Sequence, residues 1–314
     1  MSNPTLNDLA AVSHGSDILP IIDTLSGVNE LMESAQWQEA IGNGNHVFSI
    51  TGALPDATWR TINNGVVPSK GTPVQKSVDL RILTSRSNTD KSLVDKARDP
   101  VQFRSNNDLM HVASVAETFA EAFIYGNGVS AIKGVASYAE ELDQVIEINN
   151  PIANKESIYV VQWDSNRAYL AYPNNIDIPV EVVDIGLQNV VTDFTTGAQM
   201  SAYVTEFTMH SAFVVEDPNV VWQIQGLDPT NADQNIEEVL IDVLSALKSS
   251  APADIYVSTR MAARLAKNAY TDSNILYSPE QVGGRRVVNF FGGHRIRRLD
   301  AIKANEAGYG GYTG

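Results

Sequence analysis

Two strand-like runs joined by a long connection constrain the fold of this chain more than any other feature of its sequence. Residues 46–52 and 76–86 alternate apolar and polar side chains, as half-buried strands do. A connection of about two dozen residues without periodicity of its own is usually functional, and an isolated two-stranded ribbon is marginal in water. The connection contains these turn-forming residues: Pro55, Gly65, Pro68, Gly71 and Pro73. The ribbon therefore needs another surface to pack against, and a second copy of the chain is one candidate.

The clearest single element is a helix predicted over residues 105–126. Ser105 and Asp108 have the spacing of a capping box, and Gly126 is expected to end the helix in the left-handed conformation. A helix of this length extends about 30 Å. Apolar side chains recur at three- and four-residue steps and form one stripe: Leu109, Val112, Ala113, Ala116, Phe119, Ala120 and Phe123.

The rest of the chain is predicted to form a β-rich middle and then a small α/β domain. A short polar turn between residues 163 and 167 is typical of a hairpin. A second capping box at 230–233 precedes an apolar stripe from Ile236 to Leu247, and another helix follows at 258–269. The glycine-rich end, 308–314, is expected to be a loose tail. Strands are predicted at 157–163, 167–172, 202–209, 219–225, 255–257, 287–291 and 295–299.

Charge is distributed in blocks of alternating sign. The formal net charge is −15 overall, and it divides into −7 for residues 1–59, +5 for 60–104, −17 for 105–248 and +4 for 249–314. Such blocks could pair within the fold or between copies, or they could be ordinary surface variation in an acidic protein. Complementary potential mainly sets register and encounter rate. A chain this acidic does not hold polyphosphate by its overall field.

Composition and motif content exclude several classes of site. The chain has no cysteine, which removes disulfides, thiolate metal sites and cysteine nucleophiles. Its five histidines are scattered, so a zinc or di-iron site has little support, and it has neither a nucleophile elbow nor a phosphate-binding loop. We expect no cofactor and no metal. No apolar run approaches the roughly 18 residues that cross a bilayer, and we expect a non-secreted soluble protein.

A cluster of arginines near the end of the chain is a candidate contact surface. Guanidinium groups suit DNA phosphates and partner carboxylates equally. The alternative is that the cluster balances the acidic middle within one fold. The cluster consists of Arg285, Arg286, Arg295, Arg297 and Arg298.

The order of these segments resembles the major capsid protein fold shared by tailed bacteriophages, herpesvirus shells and encapsulin compartments. The likeness is collinear over about residues 20–305, and its individual motifs are similar to those of a short-tailed-phage subfamily. The motifs that carry it are QWQE at 36–39, TGALPDATWR at 51–60, NGVVPSK at 64–70, FIYGN at 123–127, VVQW at 160–163 and YP at 172–173.

The resemblance implies an α+β fold of the Hong Kong ninety-seven type with five segments. They are an N-terminal arm (1–45), an extended loop that lies across a neighbour (46–104), a spine helix with a peripheral domain (105–227), an axial domain (228–300) and a C-terminal tail (301–314). It also implies pentamers and hexamers that close into an icosahedral shell around double-stranded DNA, with only weak, non-specific DNA contact. The protein would be a virion component assembled in the host cytoplasm.

The resemblance further implies partners and contact residues. The extended loop begins so early that little room is left for a scaffolding segment, so we expect a separate scaffolding protein, with a portal and possible decoration proteins. The charge blocks add the hypothesis that the basic block of residues 60–104 meets an acidic surface of a neighbouring copy, such as residues 105–248 or 1–59. Besides the arginine cluster, the candidate contact residues are Trp59, Arg60, Lys70, Lys76, Arg81 and Arg86.

Three alternatives differ from this interpretation in what they predict. An encapsulin-type shell would enclose enzymes instead of a genome. A soluble hydrolase using unaligned Asp and His residues would form small oligomers and no particles. A tail-tube protein is less compatible with the long helix.

Overall fold

Helices and strands alternate along the computed structural model, which describes residues 30–42, 44–148, 155–176, 179–193, 195–231, 234–247, 251–271, 277–282, 285–290, 293–304 and 306. The helices of this part are α1 Glu30–Ser34, α2 Lys91–Lys96, α3 Pro100–Tyr125, α4 Val135–Glu141, α5 Ile236–Ala246 and α6 Thr259–Thr271. The strands are β1 Trp37–Glu39, β2 Asn45–Ala53, β3 Thr72–Asp79, β4 Arg81–Asp90, β5 Val145–Glu147, β6 Glu156–Val161, β7 Ala168–Tyr172, β8 Val180–Asp193, β9 Ala198–Val215, β10 Val221–Leu227, β11 Asp254–Val257, β12 Tyr277–Val282, β13 Arg285–Phe290 and β14 His294–Arg298.

These strands pair into three sheets of very different size. A five-stranded sheet has the order β1-β7-β9-β4, with β8 on the other edge of β9. A seven-stranded sheet has the order β12-β13-β14-β11-β6-β10-β5. β2 and β3 form a two-stranded ribbon of their own. The chain is therefore α+β, with two sheets large enough to carry a core and one that is not.

Helix α3 joins the two large sheets through its second half. Phe123 is fully buried there, with its ring 5.1 Å from that of Phe213 in the five-stranded sheet and 5.9 Å from that of Tyr256 in the seven-stranded sheet. The ring of Trp163, between β6 and β7, stacks on it at 5.8 Å. A second core lies on the seven-stranded sheet, where α5 and α6 bury a stripe that includes Leu240 and Met261.

Helix α3 starts five residues earlier than its sequence pattern predicts. The Asp99 carboxylate is the N-cap and accepts hydrogen bonds from the backbone N–H groups of Val101 and Gln102, both at 3.1 Å. Pro100 then occupies the first helical turn, where its missing N–H costs nothing. The 26 residues extend about 39 Å. The predicted capping box was wrong, because Ser105 lies inside the helix and Asp108 accepts a bond from Thr205 Oγ1 (3.2 Å) instead.

Gly126 ends α3, but not in the left-handed conformation that the sequence predicts. Its φ is −62° and its ψ 140°, which is extended backbone. The glycine is needed for space: a Cβ here would lie 1.9 Å from the carbonyl oxygen of Ile132 and 2.4 Å from that of Ala122. The chain after the helix turns back against its own last turn, and this close approach excludes any side chain.

The predicted strand 76–86 is two strands that belong to different sheets. β3 ends at Asp79 and pairs with β2, whereas β4 begins at Arg81 and pairs with β9 over its whole length. The backbone N–H of Leu80, between them, donates to Gly44 O (3.0 Å). The ribbon is therefore formed by residues 45–79, while β4, α2 and the start of α3 lie in the body. Alternation continues through the junction, so the pattern does not reveal it.

Two other predictions needed correction, and some strands were missed. β6 and β7 enter different large sheets, so the hairpin predicted between residues 157 and 172 was wrong. Four strands, β1, β5, β8 and β12, were not predicted. Helix α5 begins after Asn235, and Thr230 bonds the Asp228 side chain rather than capping it; Asp233 lies outside the described residues. The stripe from Ile236 onward does form the buried face of α5, as predicted.

The beginning of the predicted C-terminal tail packs on the body. Ile302 is buried, and Glu306 accepts hydrogen bonds from the hydroxyls of Ser157, Tyr125 and Tyr159. Burial raises the pKa of the Glu306 carboxyl, and the three hydroxyl donors oppose that shift. The glycine-rich stretch 308–314 lies outside the described residues.

Replacing Asp99 by Ala should lower the unfolding free energy of the subunit by about 0.5–2 kcal/mol, because two N–H groups at the start of α3 lose their acceptor. Ser105→Ala is the matched control and should change it by less than about 0.5 kcal/mol, because Ser105 caps nothing. Urea unfolding of the unassembled subunit measures both. A larger loss for Ser105→Ala than for Asp99→Ala would place the helix start at residue 105 after all.

Candidate assembly surfaces

The ribbon is fixed to the body by a hydrogen-bonded chain at its base. The backbone N–H of Ile41 donates to His46 Nδ1 (3.3 Å), so the neutral ring carries its proton on Nε2 and donates it to the Tyr169 hydroxyl (2.7 Å). That hydroxyl in turn donates to Glu216 Oε1 (2.7 Å). Phe48 is buried next to these groups. The chain orients the first residues of β2 and so sets the direction in which the ribbon leaves the body.

Burial lowers the pKa of His46, and the negative charge of Glu216 only partly opposes that shift. The neutral ring is therefore the form that fits the site, because a proton on Nδ1 would face the N–H of Ile41. His294 has the same arrangement in the seven-stranded sheet: its Nδ1 accepts from the N–H of Ala253 (3.0 Å), and burial lowers its pKa. In the folded subunit the neutral form of both rings is favoured, so both sites are intact at pH values above the ordinary histidine pKa.

The outer part of the ribbon contacts little of its own chain. From Thr51 to Gln75 every residue is exposed except Gly71, which is half-buried. We call residues 54–71 the tip. Its large apolar side chains are almost fully accessible, with Trp59 entirely so, and they include Leu54, Trp59, Ile62 and Val67. An exposed apolar surface of this kind is typical of a protein–protein contact.

Two cations at the base of the ribbon bind their own chain. Arg81 Nη2 donates to Gly128 O (2.7 Å) and lies 3.5 Å from an Asp79 carboxylate oxygen. Lys76 Nζ lies 3.7 Å from a carboxylate oxygen of Glu141, which also pairs with Lys133. Among the predicted contact residues, these two therefore have a role inside the subunit.

Other predicted contact residues of the ribbon and β4 face solvent. Trp59, Arg60 and Lys70 lie in the exposed tip, and Arg60 Nη1 donates to Asn64 O within the tip (3.0 Å). Arg86 is exposed on β4. These four side chains remain candidates for contact with a neighbour.

The described side chains of the arginine cluster, those of Arg295, Arg297 and Arg298, do not form one exposed surface. Arg297 is buried, and its Nε lies 3.3 Å from Asp254 Oδ1. Burial raises the pKa of Asp254, and the guanidinium of Arg297 opposes that shift. Arg298 is exposed and pairs with Asp300 (3.2 Å), and Arg295 is half-buried. Arg285 and Arg286 begin β13, and their side chains lie outside the described residues. The intramolecular interpretation therefore holds for Arg297.

Ion pairs within the subunit also connect the charge blocks. Arg104 of the basic block lies 2.9 Å from Asp184 of the acidic middle, and Lys303 lies 2.9 Å from Glu121. Lys76 and Glu141 form a third such pair. Pairs of this kind contribute about 0–1 kcal/mol each at the surface. Part of the alternating pattern is therefore explained by ion pairs inside one fold.

The structure adds a surface that the sequence analysis missed. The first three turns of α3 are largely exposed, although they carry Val101, Phe103 and Met110. Beside them a groove of about 540 Å³ opens between α3 and strands β8 and β9. The sequence signal for this surface was the apolar residues that precede the predicted stripe. The predicted helix start at residue 105 left two of them, Val101 and Phe103, outside the helix.

Neither a metal-binding cluster nor a membrane-spanning helix occurs in the part of the chain that the structure describes. No group of three or more His, Asp or Glu side chains there could hold a metal ion. Each helix there is too short or too polar to cross a membrane. The chemistry of these surfaces is packing, hydrogen bonding and ion pairing.

Comparison with known families places these surfaces in context. A family model described as major capsid protein GP7 matches residues 13–309. The chain belongs to this family. It is therefore a structural, shell-forming capsid protein and not an enzyme, as the sequence analysis expected, and the hydrolase alternative is not supported. Phage capsid proteins are components of the virion. A comparison with curated protein sequences gives no significant match.

Solved structures agree on the fold. A chain from the near-atomic structure of bacteriophage Epsilon15 is 21% identical, with a TM-score of 0.64, and the match covers 97% of this chain and 96% of that chain. A chain of the bacteriophage JBD30 capsid is 8% identical, with a TM-score of 0.55 and coverage of 96% and 99%. The predicted Hong Kong ninety-seven-type fold is thereby confirmed; the short-tailed-phage subfamily stays a prediction.

Acidification should destabilise this capsid subunit through His46. The folded-state pKa is lowered, so this stabilisation is present above the ordinary pKa of about 6.5 and is lost as the pH falls below it. The unfolding free energy should fall between about pH 7.5 and pH 5.5 by about 1 kcal/mol more in the wild type than in His46→Asn. The Asn amide accepts a hydrogen bond and does not titrate.

Urea unfolding at the two pH values measures this difference. The contribution of His294 is common to both proteins and cancels in the comparison. Equal pH dependence of the wild type and His46→Asn would show that His46 is not held neutral in the folded subunit.

Proposed function

We propose that this capsid protein assembles into pentamers and hexamers, which close into an icosahedral shell around the double-stranded DNA of a tailed phage. The observation that carries the proposal is the ribbon: its base is fixed to the body, while its outer part and apolar tip are exposed. Obligate interfaces between subunits often exceed about 2,000 Å². A projecting ribbon contributes such area only against another molecule.

The parts of the fold have separate roles in this proposal. Residues 1–45 act as the N-terminal arm, and the ribbon of residues 45–79 is the part of the predicted extended loop that reaches a neighbour. α3 is the spine, and the five-stranded sheet belongs to the peripheral domain. The seven-stranded sheet with α5 and α6 belongs to the axial domain, whose copies meet around the five- and six-fold axes. β4 and α2 lie beside the spine and support the ribbon.

The net charge of the chain supports the proposal that the shell contacts its DNA only weakly. The net charge of −15 gives the chain no general attraction for phosphate. We infer that contact with the genome is sparse and independent of DNA sequence. We further propose that a separate scaffolding protein and a portal act with the subunit in the host cytoplasm, and that decoration proteins are optional partners.

Shortening the ribbon tests the proposal directly. A variant in which Asn-Gly replaces residues 55–70 keeps most of the paired part of β2 and β3 and removes the tip. It should retain the circular dichroism spectrum and unfolding midpoint of the wild-type subunit, because the tip contributes nothing to the core. It should form no closed shells when expressed with the neighbouring head genes, as judged by negative-stain imaging and sedimentation.

Normal shells from the shortened variant would contradict the proposed role of the ribbon. Staining of wild-type particles for nucleic acid distinguishes the two shell interpretations. Particles that hold enzymes and no genome when isolated from the infected host would favour the encapsulin-type alternative.

Charge reversal at β4 tests the predicted contact between the basic block and an acidic neighbour. Arg86→Glu should slow assembly by about tenfold at low salt and by much less at high salt, because Arg86 is exposed and its pairing would be screened. Its subunit should lose no more than about 1 kcal/mol of unfolding free energy, because the new carboxylate faces only Glu206 across the β4–β9 pair. Light scattering during assembly, recorded at both salt concentrations, measures the effect.

Arg81→Glu is the matched comparison, since Arg81 binds Gly128 O of its own chain. It should lower the unfolding free energy of the unassembled subunit by about 1–3 kcal/mol. An unchanged assembly rate for Arg86→Glu at low salt would remove Arg86 from the interface.

A further inference from the structure

The chain contains three Asn-Gly pairs, and the structure describes two of them in full. These are Asn64–Gly65 in the ribbon tip and Asn127–Gly128 just after α3, while Asn43 of the third pair lies outside the described residues. Asparagine is a thermolabile residue, and a following glycine leaves its own backbone nitrogen unobstructed because it has no Cβ. Such a pair loses its side-chain amide without an enzyme wherever the local backbone is free to move.

The Asn127 amide is held in place on the body. Its Oδ1 accepts hydrogen bonds from the backbone N–H groups of Val129 (2.9 Å) and Ser130 (3.0 Å) and from the Ser130 hydroxyl (3.2 Å). The backbone of Asn127 pairs with that of Lys133, and Gly128 is fixed in the left-handed conformation with a φ of 73°. Movement of the Gly128 nitrogen onto the Asn127 side chain would break these contacts, so this pair is protected.

The Asn64 amide has much weaker restraints. Asn64 and Gly65 are exposed, and the Asn64 side-chain nitrogen donates to the Thr61 hydroxyl (2.9 Å), while no described group donates to its Oδ1. The other hydrogen bonds of Asn64 reach only Arg60 and Thr61 of the same turn. A Cβ built on Gly65 would meet no atom within 4 Å. Both the Gly65 nitrogen and water therefore have access to the Asn64 side-chain carbonyl carbon.

We propose that Asn64–Gly65 is a site of spontaneous deamidation in the unassembled subunit, with water as the only co-reactant. The backbone nitrogen of Gly65 attacks the side-chain carbonyl carbon of Asn64, gives its proton to solvent and closes a succinimide ring. The bond from that carbon to Nδ2 breaks, and the amide nitrogen takes up a proton and leaves as ammonia. Water then opens the ring at either carbonyl and gives aspartate or isoaspartate, with nothing oxidised or reduced.

The product alters the part of the subunit that projects furthest from its core. The tip, residues 54–71, has one acidic and two basic side chains, so a new carboxylate changes its net charge from +1 to 0. The carboxylate lies in the same turn as Arg60, whose Nη1 bonds Asn64 O (3.0 Å). Assembly should slow the reaction, because a neighbouring copy then covers the tip; this part of the inference rests on the proposed function.

Peptide mass spectrometry of incubated, unassembled subunits tests the site. Trypsin releases residues 61–70 and 105–133 as separate peptides, and fragmentation assigns the modified asparagine in each. The mass gain that accompanies the change from amide to carboxylic acid should accumulate at least about tenfold faster at Asn64 than at Asn127. The reason is that the hydrogen bonds of Asn127 must break before its amide can react.

Gly65→Ala isolates the mechanism. The new methyl group has room, and Gly65 is not in the left-handed conformation, so the subunit should keep its circular dichroism spectrum. The reaction at Asn64 should slow by about tenfold or more, because the methyl group hinders the approach of the nitrogen. Val66→Ala is the matched control: it changes an exposed side chain next to the pair, leaves Asn64 and Gly65 intact, and should react like the wild type.

The outcomes separate this inference from the proposed function. Equal rates at Asn64 and Asn127, or an unchanged rate in Gly65→Ala, would overturn the modification site whatever the subunit assembles into. In purified shells the rate at Asn64 should be about tenfold lower than in free subunits, because ordered contacts restrict the turn. Equal rates in shells and free subunits would overturn the protection by assembly. If the chain forms no shells, the proposed function fails, while the comparison of Asn64 with Asn127 in free subunits still decides the modification site.

Discussion

The structure depends on one physical constraint: a two-stranded ribbon cannot bury its own side chains. Only the base of β2 enters a core, where Phe48 packs and His46 is held between Ile41 and Tyr169. Beyond Ile50 the ribbon is almost entirely exposed, and its tip carries exposed apolar side chains. Such a segment keeps one orientation only if its base is rigid, and in the proposed shell a neighbouring copy covers its end.

The base of the ribbon and the spine of the subunit both provide the rigid support that the ribbon needs. At the base, hydrogen bonds through His46 and Tyr169 to Glu216 fix the direction of the ribbon. In the spine, the aromatic cluster around Phe123 joins the two large sheets into one body from which the ribbon projects. The contacts that hold the subunit rigid are therefore at the base of the ribbon and around Phe123. The apolar surface left over is concentrated at the tip and along the first turns of α3.

Fewer cationic side chains are available for contacts between copies than the charge blocks suggest. Several cations that the pattern assigned to a neighbour are used inside the subunit: Lys76 by Glu141, Arg81 by Gly128, and Arg297 by the buried Asp254. Arg86 and the tip residues face solvent, so in the proposed assembly only a few side chains provide charge complementarity between copies. This division suits a shell subunit, because charge steers the encounter and apolar burial holds the contact.

The sequence by itself determined the element types, the order of the segments and the need for an outside surface, because side-chain periodicity and an unpaired ribbon are local properties. It predicted α3, α5 and most strands within a few residues. Tertiary structure alone decided that β3 and β4 enter different sheets, that β6 and β7 do not pair, and that Arg297 lies inside. It also created the groove beside α3. These features depend on which distant strand or helix packs next to a residue, and an alternating pattern is the same whichever partner it meets.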